Sequence, residues 1–171
     1  MSTHTATGAT RAPSAGAQVD PRGQQFAAAV TSVVLAVVLL GAPSPIATAL
    51  LAVQAVLFAI GAGLGVQSTP HALVFRTLVR PRLGAPRELE DATPPRFAQA
   101  VGLVVAVVGL VGFLTGATAL GLVATGFALV AALLNATIGL CLGCEVYLLG
   151  RRALAVPQSS KIPATQTRST P

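Results

Sequence analysis

The sequence predicts an all-α fold, an integral membrane four-helix bundle built from two parallel-repeat helical hairpins with disordered tails. Of the 171 residues, 53% are hydrophobic and only 9% are charged, whereas a soluble domain carries about 25% charged residues. Positions 23–75 and 97–144 contain no Asp, Glu, Lys or Arg. Each stretch is too long for one membrane span of about 20 residues and long enough for two. This composition argues against a soluble enzyme, a nucleic-acid-binding module or a wholly disordered chain.

Turn residues set the helix boundaries. The segment from Gly41 to Pro45 contains two prolines, and proline both lacks an amide donor and resists helix continuation. Residues 115–118 (Thr-Gly-Ala-Thr) are the weakest helical point of the second stretch. We therefore expect spans near 24–42, 46–66, 97–115 and 119–140 inside a transmembrane domain of residues 24–149, with continuation of the fourth helix to Leu149 as an alternative.

The connection between the two hairpins predicts a short interfacial helix over residues 70–80. Thr69 can cap this helix, Pro70 suits its first position, and Pro81 is expected to stop it. The acidic residues of the segment Glu88–Asp91 are expected to pair loosely with Arg87 and Arg96, in preference to forming a catalytic carboxylate pair. Residues 1–23 and 150–171 lack apolar periodicity and are expected to be disordered tails.

All eleven basic residues are predicted to lie on one side of the membrane. They precede the first span, fill the central connection or follow the last span, and the two short turns carry none. The positive-inside rule assigns that side, and with it both termini, to the cytoplasm. The net charge of +6 then reflects attraction to the anionic leaflet of a lipid bilayer and no nucleic-acid partner.

An internal repeat supports the two-hairpin arrangement. A shift of 71 residues aligns Phe26 with Phe97 and gives eight identities over residues 26–40. Two hairpins of the same orientation would place His71 and Cys141 at equivalent cytoplasmic ends of the second and fourth helices.

The one constellation with chemical potential is Cys141-Leu142-Gly143-Cys144-Glu145. Two cysteines three apart on a helix share a face, and we expect this pair at the cytoplasmic end of the fourth helix. A stable disulfide is disfavoured there, so a switching dithiol or a soft-metal ligand pair is expected. As a metal site the pair is short of ligands and would have to recruit Glu145 or His71. The helix C-terminus and Glu145 would both disfavour a thiolate.

Small and polar residues inside the spans have two interpretations. Gly139 with Gly143 is one of three small-xxx-small pairs, a pattern that favours close helix approach. Gln54 and Asn135 lie within spans, where an interhelical hydrogen bond or a role in substrate binding is expected.

Several motifs together resemble a bacterial family of multi-pass membrane proteins known as domain of unknown function 4395. The shared motifs are Val19-Asp20-Pro21-Arg22, Val79-Arg80-Pro81-Arg82, Glu88–Asp91 with Pro94–Ala98, and Leu134–Ala136 with Gly139–Tyr147. The resemblance implies a bacterial plasma-membrane protein in which Cys141, Cys144, Glu145, Asn135 and Glu88–Asp91 belong to the family signature. It also implies an association with thioredoxin-like and sulfurtransferase proteins, and it supplies no mechanism or cofactor.

The leading functional hypothesis is a membrane thiol or sulfur redox protein with Cys141 and Cys144 as the redox pair and Glu145 and Asn135 as modulating residues. One pair cannot carry electrons across the membrane alone, so a partner protein or a quinone would complete the circuit. The alternatives are a homo-oligomeric transporter of a sulfur compound or soft metal, and a non-catalytic scaffold subunit. The sequence leaves open whether the chain is an enzyme, and no hydrolase or nucleotide-binding motif is present.

Overall fold

A computed structural model describes residues 17–84, 86 and 88–154. Four of its helices are long and apolar enough to span a membrane, which confirms the all-α fold and the four predicted spans. They are α1 (Pro21–Gly41), α2 (Pro45–Gly63), α5 (Thr93–Leu114) and α6 (Thr118–Ile138). The shorter helices are α3 (Pro70–Val74), α4 (Arg80–Leu83) and α7 (Leu142–Leu154), and two short strands are β1 (Gln18–Val19) and β2 (Glu90–Asp91).

The two predicted turns are confirmed. Helix α1 ends at Gly41 and α2 begins at Pro45, whose first turn is capped by the Ser44 hydroxyl accepting from the Ala47 N–H at 3.3 Å. Helix α5 ends at Leu114 and α6 begins at Thr118. Proline and serine at a helix start supply the fixed φ and the cap that this position requires.

The predicted tail boundaries differ from the structure at both ends. Residues 18–19 pair with strand β2, with Gln18 opposite Asp91 and Val19 opposite Glu90, and α1 begins at Pro21 with Asp20 as its N-cap. At the other end α7 runs to Leu154, past the predicted boundary at 150. The remaining tail residues, 1–16 and 155–171, lie outside the described residues.

The fourth span lies within two residues of its predicted bounds and does not extend further. Helix α6 ends at Ile138, because Gly139 adopts a left-handed conformation with φ of 72° and its N–H bonds back to the Asn135 carbonyl at 3.1 Å. Such a glycine closes a helix that a residue with a side chain would continue. The chain then starts the separate helix α7, so the alternative of one helix continuing to Leu149 is wrong.

The interfacial helix also differs at its end. Helical backbone continues from Pro70 through a π-helical turn at Phe75–Val79 and past Pro81 to Leu83. The Arg80 N–H bonds to the Phe75 carbonyl five residues back, which widens the turn ahead of the proline. Pro81 therefore lies in the first turn of α4, where its missing N–H costs no helical bond.

The four long helices pack in the cyclic order α1, α2, α5, α6, and both hairpins begin at the same end of the bundle. The half nearer the two short turns is filled by a buried apolar cluster. Its members are Leu35, Val38, Ala47, Leu51, Ala55, Ala106 and Phe113. The half where the hairpins begin is lined by smaller residues, and the cysteines lie at that end.

Candidate thiol site and adjoining cavity

The two cysteines lie at the start of α7, where they form a disulfide with a Cα–Cα distance of 5.2 Å. The backbone N–H of Cys144 donates to the Sγ of Cys141 at 3.3 Å, and the N–H of Glu145 donates to the Cys141 carbonyl at 3.0 Å. Cys141 thus caps the N-terminus of α7. The sequence placed the pair at a helix C-terminus, which is wrong because Gly139 ends α6 first.

This position reverses the predicted effect of the helix end on a thiolate. Free N–H groups and the helix dipole at an N-terminus stabilise negative charge. On reduction, the Sγ of Cys141 is the sulfur that receives this stabilisation, because the Cys144 N–H already points at it. The arrangement is the one found at reactive cysteines, in which the thiolate is the nucleophile.

Helix α7 is held tightly against α5. A Cβ added to Gly143 would lie 2.6 Å from the Cα and Cβ of Ala98, so only glycine permits this approach. The rings of Phe97 and Tyr147 pack with centroids 5.6 Å apart. The small-xxx-small pair predicted from Gly139 and Gly143 is therefore split: Gly143 packs against a neighbouring helix, whereas Gly139 ends α6.

Cys141 lines a cavity of about 630 Å³ inside the half of the bundle where the hairpins begin. Much of the wall consists of alanine and glycine, including Ala28, Gly102, Ala128 and Ala131. Such small side chains leave the space between four helices unfilled, unlike the Leu- and Val-rich half. The volume lies within the range of roughly 300–1,000 Å³ that is usual for small-molecule sites.

The inner end of the cavity is polar but uncharged. Gln54 is 1% exposed, and its Oε1 has no hydrogen-bond partner among the described residues. The interhelical hydrogen bond expected for Gln54 is therefore not made by this oxygen. Thr31, 6% exposed, also lines the cavity. Gln54 is the tenth of the 19 residues of α2 and Thr31 the eleventh of the 21 of α1, so both lie midway along their spans.

Charged groups lie at the outer end of the cavity, where Asp20, Arg76 and Arg80 contribute to its lining. A hydrogen bond from the Arg22 guanidinium, 2.9 Å from Oδ2 of Asp20, lowers the pKa of this carboxyl below 3.8. His71 also lines the cavity, and burial lowers its pKa below 6.5, which favours the neutral imidazole. The cavity thus changes from charged at the bundle end to uncharged at mid-span.

A second, smaller pocket of about 140 Å³ touches both cysteines. It is lined by Glu90 of strand β2 and also by Gln99 and Asn135, which line the larger cavity as well. The disulfide therefore borders both the cavity and the smaller pocket. Cys141 lines both of them, whereas Cys144 lines only the smaller pocket.

Glu90 was not assigned to the site from the sequence, where the acidic segment was expected to pair with Arg87 and Arg96. Arg96 instead donates to the last carbonyls of α2, at 3.1 Å to Ala62 and 2.9 Å to Gly63. Arg87 lies outside the described residues. The pairing of β1 with β2 places Glu90 on the wall of the pocket that both cysteines line, and two-residue strands do not signal such a long-range arrangement in a sequence.

The residues of this site come from the segments that carry the resemblance to a known family. The sequence profile of that family matches residues 19–152. The chain belongs to the family described as Domain of unknown function (DUF4395). The DUF4395 region begins within strand β1 and ends within α7, so it includes both cysteines, Glu90 and every residue of the cavity wall except Gln18. Comparison with curated proteins and with solved structures finds no match.

The remaining predicted site residues lie in different places. Asn135 lines both spaces. The side chain of Glu145 is exposed on α7 and lines neither space. Among the described residues, no three His, Cys, Asp or Glu side chains come together as a metal site. His71 and Glu145 therefore do not complete a ligand set with the cysteines.

Proposed function

We propose that this chain is a membrane thiol–disulfide redox protein in which Cys141 and Cys144 oxidise a thioredoxin-like or sulfurtransferase partner. The observation that carries the proposal is the position of the pair at the N-terminus of α7, with the Cys144 N–H directed at the Sγ of Cys141. Stabilising one sulfur as a thiolate stabilises the reduced pair. A disulfide whose reduced form is stabilised is a better oxidant.

The exchange takes place in two steps. A partner thiolate attacks the Sγ of Cys141, the Cys141–Cys144 bond breaks, and Cys144 leaves as a thiolate that takes up a proton. The second partner thiol then attacks the mixed disulfide, and Cys141 leaves as the thiolate stabilised by the Cys144 N–H. The partner has lost two electrons and two protons, and the pair is now a dithiol.

The cysteines, on this proposal, face the cytoplasm in a bacterial plasma membrane, and both chain termini lie on the same side. The seven described arginines support this orientation: Arg22, Arg76, Arg80, Arg82, Arg96, Arg151 and Arg152 all lie outside the two short turns. Basic residues are concentrated in cytoplasmic connections of membrane proteins.

A single chain is a poor candidate for the transporter alternative. The cavity extends from the hairpin starts to Gln54 and Thr31, and the buried cluster that includes Leu35, Leu51 and Phe113 fills the other half of the described bundle. A route across the membrane would need space between copies of the chain, so the redox site suits the observed geometry better.

The redox state of the pair in cells tests the proposal. Cells that express the chain are acid-quenched before and after an oxidant pulse, and free thiols are tagged with a mass-shifting maleimide. We expect a reversible change between two free thiols and none. A pair that stays in one state throughout would contradict the proposal.

A trapping experiment identifies the partner. In the reverse of this exchange, the Cys141 thiolate attacks the disulfide of an oxidised partner, and Cys144 resolves the mixed disulfide. The Cys144→Ser variant lacks this resolving thiol, so after an oxidant pulse a mixed disulfide on Cys141 should accumulate and be seen by non-reducing electrophoresis. The matched control is Cys141→Ser, which keeps the less stabilised thiol and should trap at least several-fold less partner. Equal trapping by both variants, or none by either, would refute the assigned roles.

A further inference from the structure

We propose that the 630 Å³ cavity binds the ring of a membrane quinone, which accepts the two electrons of the reduced Cys141–Cys144 pair. This inference rests on the proposed thiol exchange, which leaves the pair as a dithiol that an electron acceptor must reoxidise. Quinones dissolve in the bilayer and accept two electrons together with two protons. This is the same number that a dithiol releases when it forms a disulfide.

The unpartnered amide of Gln54 indicates the kind of ligand. It lies 1% exposed on the cavity wall, with Oε1 unbonded among the described residues. A buried acceptor without a partner is costly, so Oε1 calls for a donor on the ligand, which the hydroxyl of a quinol supplies. An amide offers a donor and an acceptor side by side. It can donate to a quinone carbonyl and accept from the hydroxyl of the quinol, so it suits an oxygen that changes from acceptor to donor.

The depth of the cavity suits a ring that spans from Gln54 to Gln99. A Cβ on Gly61 would meet the Gln99 side chain, so Gln99 lies at the level of Gly61, seven residues along α2 from Gln54. Seven residues of helix rise about 10 Å. A para-quinone hydrogen-bonded at both carbonyls also spans about 10 Å, with roughly 3 Å for each bond. Gln99 shares the smaller pocket with both cysteines, so the second carbonyl would lie beside the pair.

The walls between these ends are apolar and partly aromatic. Phe58, Val105 and Phe127 line the cavity between the helices, and the charged residues lie only at its outer end. A quinone ring is apolar except at its oxygens, so this distribution matches it, whereas a charged sulfur compound would meet no counter-charge beside Gln54.

The reaction balances without another reactant. The two S–H bonds of Cys141 and Cys144 break and an S–S bond forms. The two electrons reduce the quinone ring, and the two protons end on its oxygens as hydroxyl groups. The disulfide is then ready for the next partner dithiol, and electrons pass from the partner through the pair to the quinone pool.

Binding is measured first, without thiol chemistry. The full-length Cys141→Ser, Cys144→Ser variant in lipid nanodiscs is titrated with decylubiquinone, whose fully substituted ring resists thiol addition. We expect saturable binding to one site. Adding Gln54→Leu should weaken it roughly 10-fold through the lost hydrogen bond. The matched control is Thr125→Val, which removes the second buried oxygen that has no partner within the described part of the chain. Thr125 does not line the cavity, so this substitution should leave affinity unchanged.

Turnover is measured next on the reduced chain with both cysteines, mixed with decylubiquinone under anaerobic conditions. One quinol should form for every two thiols lost, and Gln54→Leu should slow this reaction while Thr125→Val does not. Absence of saturable binding, or equal effects of the two substitutions, would overturn the quinone assignment. A mixed disulfide still trapped on Cys141 in cells would then leave the thiol function standing. Quinone binding without loss of thiols would refute the coupling of the two sites.

Discussion

Replacing Gly143 with alanine tests whether α7 rests directly on α5. The new Cβ would lie 2.6 Å from the Cα and Cβ of Ala98, about 1 Å closer than the 3.5–4.0 Å at which carbon atoms pack. Neither of these Ala98 atoms is the end of a flexible side chain, so α7 must move away by about that distance. Over-packing of this kind costs about 1–3 kcal/mol.

The displacement should also alter the thiol site, because Gly143 lies between the two cysteines. We expect Gly143→Ala to lower the thermal unfolding midpoint in detergent and to change the rate at which a maleimide labels the reduced pair. Gly150→Ala is the matched control on the same helix: its Cβ meets nothing within 4 Å, and alanine favours a helix by about 1 kcal/mol over glycine. If both variants were as stable and as reactive as the native chain, the close packing of α7 on α5 would be refuted.

Three further predictions concern packing, capping and pH. Gly112→Ala should lower the unfolding midpoint, because its Cβ would lie 2.5 Å from the Gly121 backbone nitrogen, whereas Gly126→Ala, which meets nothing within 4 Å, should not. Asp20→Ala should cost roughly 0.5–2 kcal/mol by removing the cap of α1. If Asp20→Ala lowered the free energy of unfolding by less than a substitution on a lipid-facing helix surface does, the role of Asp20 as a cap would be contradicted. His71 has a lowered pKa, so the unfolded chain binds its proton more readily and stability should fall as pH drops below about 6.5. The fall should be smaller in His71→Gln, and an unchanged pH profile would refute the burial of this ring.

The four spans could be predicted from the sequence, because long stretches without charge indicate membrane-spanning helices and prolines indicate the turns between them. The prediction failed at Gly139, since glycines also occur inside the spans, as at Gly102 and Gly126, and nothing in the local sequence marks Gly139 as a glycine with positive φ. That single residue decides whether Cys141 follows a helix C-terminus or caps a helix N-terminus. Whether the nearby helix end favours or disfavours a thiolate at Cys141 therefore depends on the conformation of Gly139.

The site was only partly predictable for a related reason. The cysteines and Asn135 could be proposed as candidates because residue type and position within a span are readable from one segment. Glu90 reached the site through pairing of two-residue strands, and the cavity arises from the spacing of four helices. Neither the pairing of such short strands nor the spacing of the helices produces a periodic pattern in the sequence.

At the alanines that line the cavity, a substitution that stabilises the fold would also reduce the space for the proposed ligand. In a well-filled core, a larger side chain is rejected because it has no room, but Ala131 and Ala132 border open space. Ala131→Leu or Ala132→Leu would add apolar contact inside the bundle and should stabilise the fold, while taking volume from any ligand. Selection for thermal stability alone would therefore be expected to fill this half of the protein first, and stabilised variants that lose activity should carry their substitutions there.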